Sequence, residues 1–409
     1  MKGPCEGSAL VTLADIESAR ERIGDSIVVT PCTRAEHLSR LIGCEVFLKL
    51  ENLQMTGSFK ERGSLNKILQ LSDEQRRSGV ITASAGNHAQ GVAHAASLCH
   101  IPALIVMPET TPLAKIRGTR EFGAEIVLHG SGYDEAYEKA LELQASEGRT
   151  FIHAFDDPQI IAGQGTIGLE LLEQVPDLDL VVVPIGGGGL ISGIATAIKE
   201  RRPEVRMIGV EAARMPAMQQ SITAGSVQPL QGAYTLADGI AVARVGQHTL
   251  PIVDRYVTDI VTVSEEQIAT AIMLLLEREK TLVEGAGATG FAALYSQRIK
   301  QIAGLKIVVV ISGGNIDLSL LSRILQRGME SDGRLARLKV IVPDRPRSIA
   351  QVASLVAQQH AGILQIFQNR SVNEVKLQES ELELLLETHG LEHVEEICQA
   401  LRGAGFILR

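Results

Sequence analysis

Strand-like and helix-like segments alternate along the first 330 residues of this 409-residue chain. The strand-like segments are short, continuously apolar and rich in β-branched residues, as parallel strands covered on both faces should be. They are CEVFLKL (44–50), PALIVM (102–107), AEIVLH (124–129), LDLVVVPI (178–185), VRMIGVE (205–211) and LKIVVVIS (305–312). Helical patterns lie between them, for example at 58–71, 87–99 and 265–279. This alternation predicts a twisted α/β sheet fold.

Length and composition limit the class of protein. A chain of 409 residues is expected to form two or three domains, and its 45% apolar and 21% charged residues are typical of a globular protein. Aromatic residues make up only 3%, Trp is absent and the formal net charge is -9, so binding to nucleic acid is not expected. Solubility alone explains the negative charge.

Cysteine usage and the N-terminus indicate a cytoplasmic protein. The five cysteines are scattered, odd in number and form no C-x-x-C motif, which argues against a disulfide framework or a zinc site. Residues 1–23 contain no apolar run long enough for a signal peptide. Pro184 and four consecutive glycines interrupt the uncharged stretch 180–198, which therefore predicts a strand, a loop and a helix and not a membrane span.

The C-terminal residues follow a different pattern. The polar segment ESDGRLA (330–336) is typical of a linker, so we expect a main region over 1–329 and a separate domain over 337–409. Strand-like and helix-like segments then follow in the order βαββαβ, at 338–343, 348–360, 363–368, 374–388, 391–402 and 406–408. This order predicts a ferredoxin-like unit.

A lysine with unusual surroundings lies in QMTGSFKERGS (54–64). Lys60 follows a Gly-Ser turn and starts a helical pattern, where the partial positive charge of the helix N-terminus should lower the pKa of a lysine. Burial beside Phe59 would lower the pKa further. A lysine in this position can form a Schiff base with an aldehyde, and the alternative is an ordinary surface lysine.

Four consecutive glycines, Gly186 to Gly189, follow a predicted strand and precede a helical pattern that starts at Leu190. Successive backbone N–H groups of such a turn can surround an anion, and the helix N-terminus adds its partial positive charge. No Lys-Ser or Lys-Thr follows, so the turn is not a nucleotide-binding P-loop. The pattern predicts a site for one phosphate monoester, with a plain tight turn as the alternative.

The segment TASAGNHAQGVA (82–93) predicts a second turn before a helix. Ser84 and Gly86 would form the turn, whose N–H groups suit a carboxylate, and Asn87 would start the helix and bind a phenolic oxygen. His88 is equally well explained as a helix-capping or core histidine.

In VVVISGGN (308–315), Ser312 ends a predicted strand at the sheet edge where ligands of open α/β folds bind. A serine there can hydrogen-bond a pyridine nitrogen without protonating it, and a simple Ser-Gly-Gly turn is the alternative. GAGATG (285–290) matches a dinucleotide-binding motif formally, but the segment before it is helical and the match is therefore accidental. A dinucleotide site at the four glycines, with Glu211 as ribose partner, has the wrong glycine spacing.

These motifs occur together and in order, and the chain closely resembles the threonine/serine dehydratase branch of the fold-type II pyridoxal-phosphate enzymes. The resemblance covers residues 8–325. It rests on GSFKERG, SAGNHAQG, GGGGL and SGGN and extends to MPETTPLAK (107–115), IAGQGTIGLE (161–170), LADGIAV (236–242) and VEGAGA (283–288). It implies two twisted, mostly parallel open sheets, a smaller subdomain over 52–155 inserted in the larger one, and pyridoxal 5'-phosphate as cofactor.

The resemblance assigns a role to each matching residue. The catalytic residues would be Lys60, Ser84 and Ser312, with the cofactor held on Lys60 as a Schiff base and Ser312 facing its pyridine nitrogen. The cofactor-binding residues would be Phe59, Lys60, Asn87, Gly186, Gly187, Gly188, Gly189, Leu190, Gly239, Glu284 and Ser312. The substrate-binding residues would be Ser58, Ser84, Ala85, Gly86, Asn87 and His88. No metal is expected.

The implied reaction converts L-threonine to 2-oxobutanoate and ammonia, and also L-serine to pyruvate, as in isoleucine biosynthesis or threonine catabolism. One alternative is a serine racemase of the same fold. Serine racemases resemble this chain but carry a serine at the position of Ala85, and an acidic metal ligand at that of Ala217, six residues after Glu211. The other alternative is a non-catalytic amino-acid sensor, which would have no use for Lys60.

The C-terminal residues resemble an ACT regulatory domain, most clearly in VPDRPRSIAQV (342–352). ACT domains usually carry Asp-Arg-Pro-Gly, whereas this chain has Arg347 in place of the glycine that lets the backbone approach an amino-acid effector. The resemblance implies either an effector site or a domain kept for subunit packing, in a homodimer or homotetramer.

Overall fold

The computed structural model describes residues 10–370 and 376–409. Residues 1–9, with Cys5, and residues 371–375, with the start of one predicted strand, lie outside the described residues. The chain divides into two compact units with the boundary between Ile316 and Asp317.

The N-terminal unit alternates strands and helices, as the sequence predicts. Its helices are α1 (Leu13–Ile23), α2 (Glu36–Ile42), α3 (Lys60–Ile68), α4 (Asp73–Ser78), α5 (Asn87–Leu98), α6 (Leu113–Arg120), α7 (Tyr133–Glu147), α8 (Pro158–Gln174), α9 (Gly189–Arg201), α10 (Ala217–Ala224), α11 (Thr249–Tyr256), α12 (Glu265–Glu279) and α13 (Gly285–Tyr295). Its strands are β1 (Cys32–Arg34), β2 (Glu45–Leu50), β3 (Val80–Ala83), β4 (Ala103–Met107), β5 (Glu125–Leu128), β6 (Thr150–Phe151), β7 (Leu180–Pro184), β8 (Arg206–Ala212), β9 (Asp259–Val263) and β10 (Lys306–Ile311). Short 3-10 helices span Gly24–Ser26, Glu51–Leu53 and Asp238–Ile240.

The larger sheet of this unit has six strands in the order β1-β2-β10-β7-β8-β9. The strand β1 pairs antiparallel with β2, and the other neighbours pair in parallel. The central strands β7 and β10 are apolar and almost fully buried, because helices cover both faces of a parallel sheet. Their carboxyl ends lead into the four glycines and Ser312, so both motifs lie at the ligand-binding edge.

The smaller sheet has four parallel strands in the order β5-β4-β3-β6. All of them lie within 52–155, the segment for which the resemblance implies a smaller subdomain. The helix α5 starts four residues after β3, which places the turn of Ser84 and Gly86 at the carboxyl end of a central strand. The fold class is thus two mostly parallel α/β sheets, as expected.

The C-terminal unit contains α14 (Leu318–Ser331), β11 (Leu335–Pro343), α15 (Ser348–Gln358), β12 (Gly362–Asn369), β13 (Glu379–Glu387), α16 (Leu391–Gly403) and β14 (Ile407–Leu408). Its four strands form an antiparallel sheet in the order β12-β13-β11-β14. This is the ferredoxin-like βαββαβ arrangement that the sequence predicts, and it is consistent with an ACT-like domain.

The linker between the two regions is shorter in the structure than the predicted 330–336. Only residues 332–334 lie between α14 and β11, because the helix continues to Ser331 and the strand starts at Leu335. Thr388 holds this short turn: its Oγ1 donates to the Gly333 carbonyl at 2.5 Å, and its N–H donates to the Arg334 carbonyl at 2.9 Å. The compact unit also begins before α14, so the division at 329 and 337 stays a prediction.

The uncharged stretch 180–198 forms β7, the glycine turn and most of α9, which confirms the predicted strand, loop and helix. In the described ranges, no helix is both long and apolar enough to cross a membrane. Sequence patterns did not reveal β1, β3, β6 and β9. The strands β1, β3 and β6 have only two to four residues and no measurable period, and β9 begins with an aspartate and contains a threonine.

Candidate active site

Lys60 is the first residue of α3, and a backbone contact with the end of β10 fixes its position. The Phe59 N–H donates to the Ser312 carbonyl at 3.1 Å, and the Gly314 N–H donates to the Gly57 carbonyl at 2.9 Å. The two segments also form an antiparallel bridge. Two motifs that are about 250 residues apart in the sequence therefore meet at one place in the fold.

The amine of Lys60 lies in an environment that disfavours its charge. Its Nζ donates to the Ala154 carbonyl at 2.8 Å and lies 5.2 Å from the centroid of the Phe59 ring. Among the described residues, no carboxylate lies within ion-pair distance of Nζ. Burial lowers the pKa of Lys60 to about 8, although the negative charge of Glu284 opposes this. The sequence predicts the same lowering of the Lys60 pKa. An amine with a lowered pKa can act as a nucleophile and as a base.

The four glycines form the turn between β7 and α9, and their neighbours leave no room for side chains. Gly188 has φ of 97°, in the left-handed region, and a Cβ there would lie 2.7 Å from Thr249 Oγ1. A Cβ on Gly187 would collide with the ring of Phe155. Thr249 Oγ1 also donates to the Gly187 carbonyl at 2.7 Å. The side chain of Leu190 packs in the core, so only its backbone can contribute to an anion site.

The turn between β3 and α5 brings the predicted substrate residues together. Ser84 Oγ accepts a hydrogen bond from the Gly86 N–H at 3.3 Å, and Gly86 is the N-cap of α5. Ala85 is partly buried and packs on the small-sheet core. Asn87 Nδ2 donates to Glu284 Oε1 at 2.7 Å, which leaves its second amide proton for a ligand.

Glu284 links Asn87 to the loop after β10. It is 4% exposed, and its N–H donates to the Gly313 carbonyl at 3.1 Å. Burial raises the pKa of Glu284 to about 7, and the negative charge of Asp238 adds to this. Gly239 lies close by, since a Cβ there would be 3.6 Å from Glu284 Oε1. A Cβ on Gly186 would be 3.0 Å from Ile240 Cα, so the same 3-10 helix also borders the glycine turn.

His88 is a core histidine. Its Nε2 lies 2.9 Å from the Ile152 carbonyl, and burial lowers its pKa to about 3, so the imidazole is neutral and donates this hydrogen bond. The side chain of His88 is therefore buried and hydrogen-bonded within the protein, and any contact with substrate would come from its backbone.

Two buried serines complete the set of predicted residues. Ser312 is 2% exposed at the end of β10. Ser58 is fully buried, and its Oγ has no hydrogen-bond partner within residues 10–370 and 376–409. An unpaired buried hydroxyl is costly, which suggests that a ligand atom completes its hydrogen bonding.

Sequence reasoning missed several residues that shape this site. Asn315 Nδ2 donates to the Thr56 carbonyl and to Asn87 Oδ1, each at 2.7 Å, and so orients the Asn87 amide. The signal was present, since Asn315 ends the SGGN motif. Phe155 and Thr249 shape the glycine turn, but no local pattern marks either residue.

A buried ion cluster surrounds the side chain of Arg62, which lies two residues after Lys60 on α3. It consists of Lys49, Glu51, Arg62 and Glu170, whose side chains are at most 6% exposed. The Arg62 guanidinium donates to both oxygens of Glu51, at 2.7 and 2.8 Å, and to Glu170 at 2.5 Å. Lys49 Nζ donates to Glu170 at 2.5 Å. The cluster is electrically balanced and fixes α3 to β2 and α8.

Glu211, the residue considered as a metal or ribose ligand, has a structural role here. Its carboxylate accepts the N–H groups of Met218 and Gln219 at 2.7 and 2.9 Å, at the start of α10. In the described part of the chain, no group of three or more potential ligand side chains is arranged around a metal position.

The fold and the site together have the features expected of an α/β enzyme that binds a phosphorylated aldehyde cofactor on a lysine. The model of the family described as pyridoxal-phosphate dependent enzyme matches residues 23–313. The L-threonine ammonia-lyase of Thermotoga maritima is 48% identical over 400 residues, which are 98% of this chain and 99% of the relative. The chain therefore belongs to the family of pyridoxal-phosphate dependent enzymes that includes the L-threonine ammonia-lyases.

Solved structures give the same fold. The processed form of threonine deaminase isoform 2 from Solanum lycopersicum is 39% identical with a TM-score of 0.73, over 77% of this chain and 91% of that one. Maize serine racemase is 36% identical with a TM-score of 0.74, over 79% of this chain and 99% of that one.

The residues present fit pyridoxal phosphate. Lys60 is a partly buried amine without a carboxylate partner in the described residues, the glycine turn has no room for side chains, and Ser58 Oγ is unpaired among those residues. Asn87 and Ser312 offer uncharged hydrogen-bonding groups, which suit the ring oxygen and ring nitrogen of the cofactor.

Proposed function

We propose that this chain is an L-threonine ammonia-lyase, which converts L-threonine to 2-oxobutanoate and ammonia and L-serine to pyruvate and ammonia. The observation that carries the proposal is Lys60, a partly buried amine whose pKa is lowered to about 8 at the point where the motifs meet. The identity of 48% with the L-threonine ammonia-lyase of Thermotoga maritima supports threonine as the substrate. In this reaction the β-hydroxyl leaves as water, and the amino group is later released as ammonia by hydrolysis.

Cofactor binding would use all four motifs. Lys60 would hold pyridoxal phosphate through Nζ, and the backbone N–H groups from Gly186 to Leu190 would bind its phosphate. Asn87 and Ser312 would bind the ring oxygen and the ring nitrogen. When bound, the cofactor supplies an electron sink that makes the α-proton of an attached amino acid acidic.

Lys60 also moves the protons. Because its pKa is lowered to about 8, a useful fraction of the amine is neutral near neutral pH and can accept the α-proton. The resulting ammonium can then protonate the leaving β-hydroxyl. One group with a pKa near the working pH thus serves as base and as acid.

The turn before α5 would hold the substrate carboxylate. It lies at a helix N-terminus, where partial positive charge favours an anion. Ser84 Oγ accepts the Gly86 N–H, so its own O–H can be donated to the carboxylate. Ser312 contributes an uncharged hydroxyl at the ring nitrogen, which favours rapid elimination over racemisation and transamination.

The proposal is tested by the visible spectrum of the purified protein and by the release of 2-oxo acids. We expect visible absorption from the bound cofactor, and equal amounts of 2-oxobutanoate and ammonia from L-threonine. Protein that binds the cofactor but releases no 2-oxo acid from either L-threonine or L-serine would refute the lyase assignment.

Serine racemase is the second candidate, because maize serine racemase matches 79% of this chain with a TM-score of 0.74. Racemisation needs an acid on the cofactor face opposite the lysine. Ala85, which follows Ser84 in the substrate turn, cannot donate a proton, and Glu211 already accepts two backbone N–H groups. Both observations favour elimination.

The similarity to the family supports a proposal for assembly and regulation. We propose a cytoplasmic homodimer or homotetramer whose C-terminal unit packs subunits or binds an amino-acid effector. Arg347, in place of a glycine, precedes α15 and argues for packing. Gel filtration with and without isoleucine or valine separates the two roles, since only an effector site predicts a response to the amino acid.

A further inference from the structure

The segment 152–156, which follows β6, touches two parts of the candidate active site at once. The Ala154 carbonyl accepts the hydrogen bond from Lys60 Nζ at 2.8 Å. The next residue, Phe155, lies against Gly187, so closely that a Cβ on the glycine would collide with its ring. The path of this short segment therefore sets the position of the lysine amine and the shape of the glycine turn. We refer to it as the Ala154 segment.

The same segment also fixes the loop before α11. The Asp156 carboxylate accepts the N–H groups of Gln247 and His248, each at 2.8 Å. Thr249 follows directly and donates from Oγ1 to the Gly187 carbonyl at 2.7 Å. The Ala154 segment thus supports the glycine turn from a second direction.

His153 folds the Ala154 segment. Its Nδ1 accepts the N–H of Phe155 at 3.2 Å and the N–H of Asp156 at 2.8 Å. Its ring meets the Phe155 ring edge-on, with 4.7 Å between the centroids. A nitrogen that accepts two hydrogen bonds carries no proton, so the neutral imidazole must hold its proton on Nε2.

A second imidazole fixes the start of the segment. His88 Nε2 donates to the Ile152 carbonyl at 2.9 Å. The two histidines have opposite roles, because His88 donates from α5 to the segment whereas His153 accepts from within it. The Ile152 N–H still pairs with the Ile81 carbonyl of β3, whereas the N–H groups of Phe155 and Asp156 are paired by a side chain and not by a sheet ladder.

We infer that His153 is a positioning residue, which holds Lys60 and the glycine turn in place through the Ala154 segment as long as its Nδ1 is unprotonated. A proton on Nδ1 would face two N–H groups and abolish both hydrogen bonds. The Ala154 carbonyl and the Phe155 ring would then lose the turn that orients them. The inference rests on the proposed cofactor site and adds a residue that does not touch the cofactor itself.

The surroundings of His153 keep the imidazole neutral. Burial lowers its pKa; the nearby charges of Asp156 and Asp157 oppose this, whereas Lys60 and His248 act in the same direction as burial. His88 also faces it but is neutral. Because folding lowers the pKa of His153, the neutral imidazole stabilises the folded arrangement at pH values above the ordinary histidine pKa of about 6.5. This contribution is lost as the pH falls through the lowered pKa.

The test uses the dissociation constant of pyridoxal 5'-phosphate for the full-length chain, measured between about pH 5 and pH 8 for three variants. His153→Leu removes the acceptor. His153→Asn keeps one, because an asparagine side-chain oxygen accepts the N–H groups two and three residues later. Asp157→Ala is the matched control: Asp157 accepts the Gln159 and Ile160 N–H groups in the same pattern, but it caps α8.

We expect His153→Leu to bind the cofactor at least about tenfold more weakly at pH 8, which corresponds to about 1.4 kcal/mol. His153→Asn should restore most of the affinity and should lack the weakening that we expect of the unmodified protein as the pH falls through the lowered pKa of His153. Asp157→Ala should lower the thermal stability and leave the affinity at pH 8 unchanged, where His153 is neutral with or without the charge of Asp157.

Two outcomes would overturn the inference. One is unchanged cofactor affinity in His153→Leu, and the other is the same acid weakening in His153→Asn as in the unmodified chain. Failure of the unmodified chain to bind pyridoxal 5'-phosphate would instead refute the proposed function. If His153→Leu does not fold, the pH profile of His153→Asn decides alone.

Discussion

Lys60 and Arg62 are cations on the first turn of the same helix, yet their surroundings are opposite. Arg62 is fully buried and hydrogen-bonded to two carboxylates, Glu51 and Glu170. Their charges raise its pKa although burial opposes this. In the part of the chain that the structure describes, Lys60 donates to a backbone carbonyl and to no carboxylate, and burial lowers its pKa to about 8.

The difference shows how one helix can supply both rigidity and reactivity. The ion cluster keeps a permanent charge and fixes α3 to its neighbours, because a buried guanidinium with matched carboxylates cannot move without losing them. No carboxylate of the described residues forms an ion pair with Lys60, so its amine can give up its proton. Because Arg62 lies two residues after Lys60 on α3, the ion cluster also fixes the position of the Lys60 backbone.

The largest effect should come from Lys60→Ala. This change removes the amine that would hold the cofactor and move the protons, so we expect loss of the visible absorption and at least a 10³-fold fall in 2-oxo acid release, about the size expected of a general base. Lys67→Ala is the control, because Lys67 lies on the same helix but forms an ion pair with Asp157 at 2.9 Å. Retained activity in Lys60→Ala would exclude Lys60 from the chemistry.

Breaking the ion cluster should reduce stability instead. Arg62→Met leaves Glu51 buried without its partner and should lower the free energy of unfolding by about 3–5 kcal/mol, as for other broken buried ion pairs. Lys60→Met removes a cation without a carboxylate partner in the described residues, and it should leave that free energy unchanged or raise it. Denaturant unfolding of both proteins without cofactor compares them directly. Equal losses would contradict the proposed difference between the two cations.

The double variant Arg62→Met with Glu51→Gln sharpens this comparison. It removes one positive and one negative charge together and leaves Lys49 paired with Glu170. We expect it to be more stable than Arg62→Met alone, because no buried carboxylate is then left unpaired. Strictly additive losses would mean that the cluster is not coupled.

A smaller effect is expected from Glu284→Gln. The negative charge of Glu284 raises the pKa of Lys60, so its removal should lower that pKa below about 8. Glutamine can still accept the hydrogen bond from Asn87. At pH 8 most of the Glu284 carboxyl is ionised and about half of the Lys60 amine is already neutral, so reductive methylation of Lys60 in the cofactor-free protein should become faster by up to about twofold. Slower methylation would mean that Glu284 does not act on Lys60 through its charge.

The smallest effect is expected from Ala85→Ser. This change places a hydroxyl between Ser84 and Gly86 and supplies the acid that the unmodified site lacks. Incubation with L-serine should then yield D-serine as a minor product beside pyruvate. Substantial D-serine from the unmodified protein would refute the preference for elimination.

The sequence predicted the elements with strong local patterns. The six apolar runs all form strands, the glycines and Ser312 follow two central strands, and the low pKa of Lys60 was expected from its helix start and its burial. Each of these signals lies within a dozen residues, where periodicity and turn residues determine the structure.

The ion cluster could not be predicted in the same way. Glu170 lies more than 100 residues from Arg62, and each charged residue alone resembles a surface position. The acceptor role of His153 depends on a backbone turn after a two-residue strand, which has no sequence period. Only the assembled fold shows which charges and acceptors meet.

The most direct test of the central claim is the identity of the lysine that holds the cofactor. Borohydride reduction of the purified holoenzyme, followed by proteolysis and mass spectrometry, attaches the pyridoxyl group permanently to that residue. The account predicts a single labelled position, Lys60, and no stoichiometric label on Lys49 or Lys67. Stoichiometric label on another lysine, or none on a protein that binds pyridoxal phosphate, would contradict it.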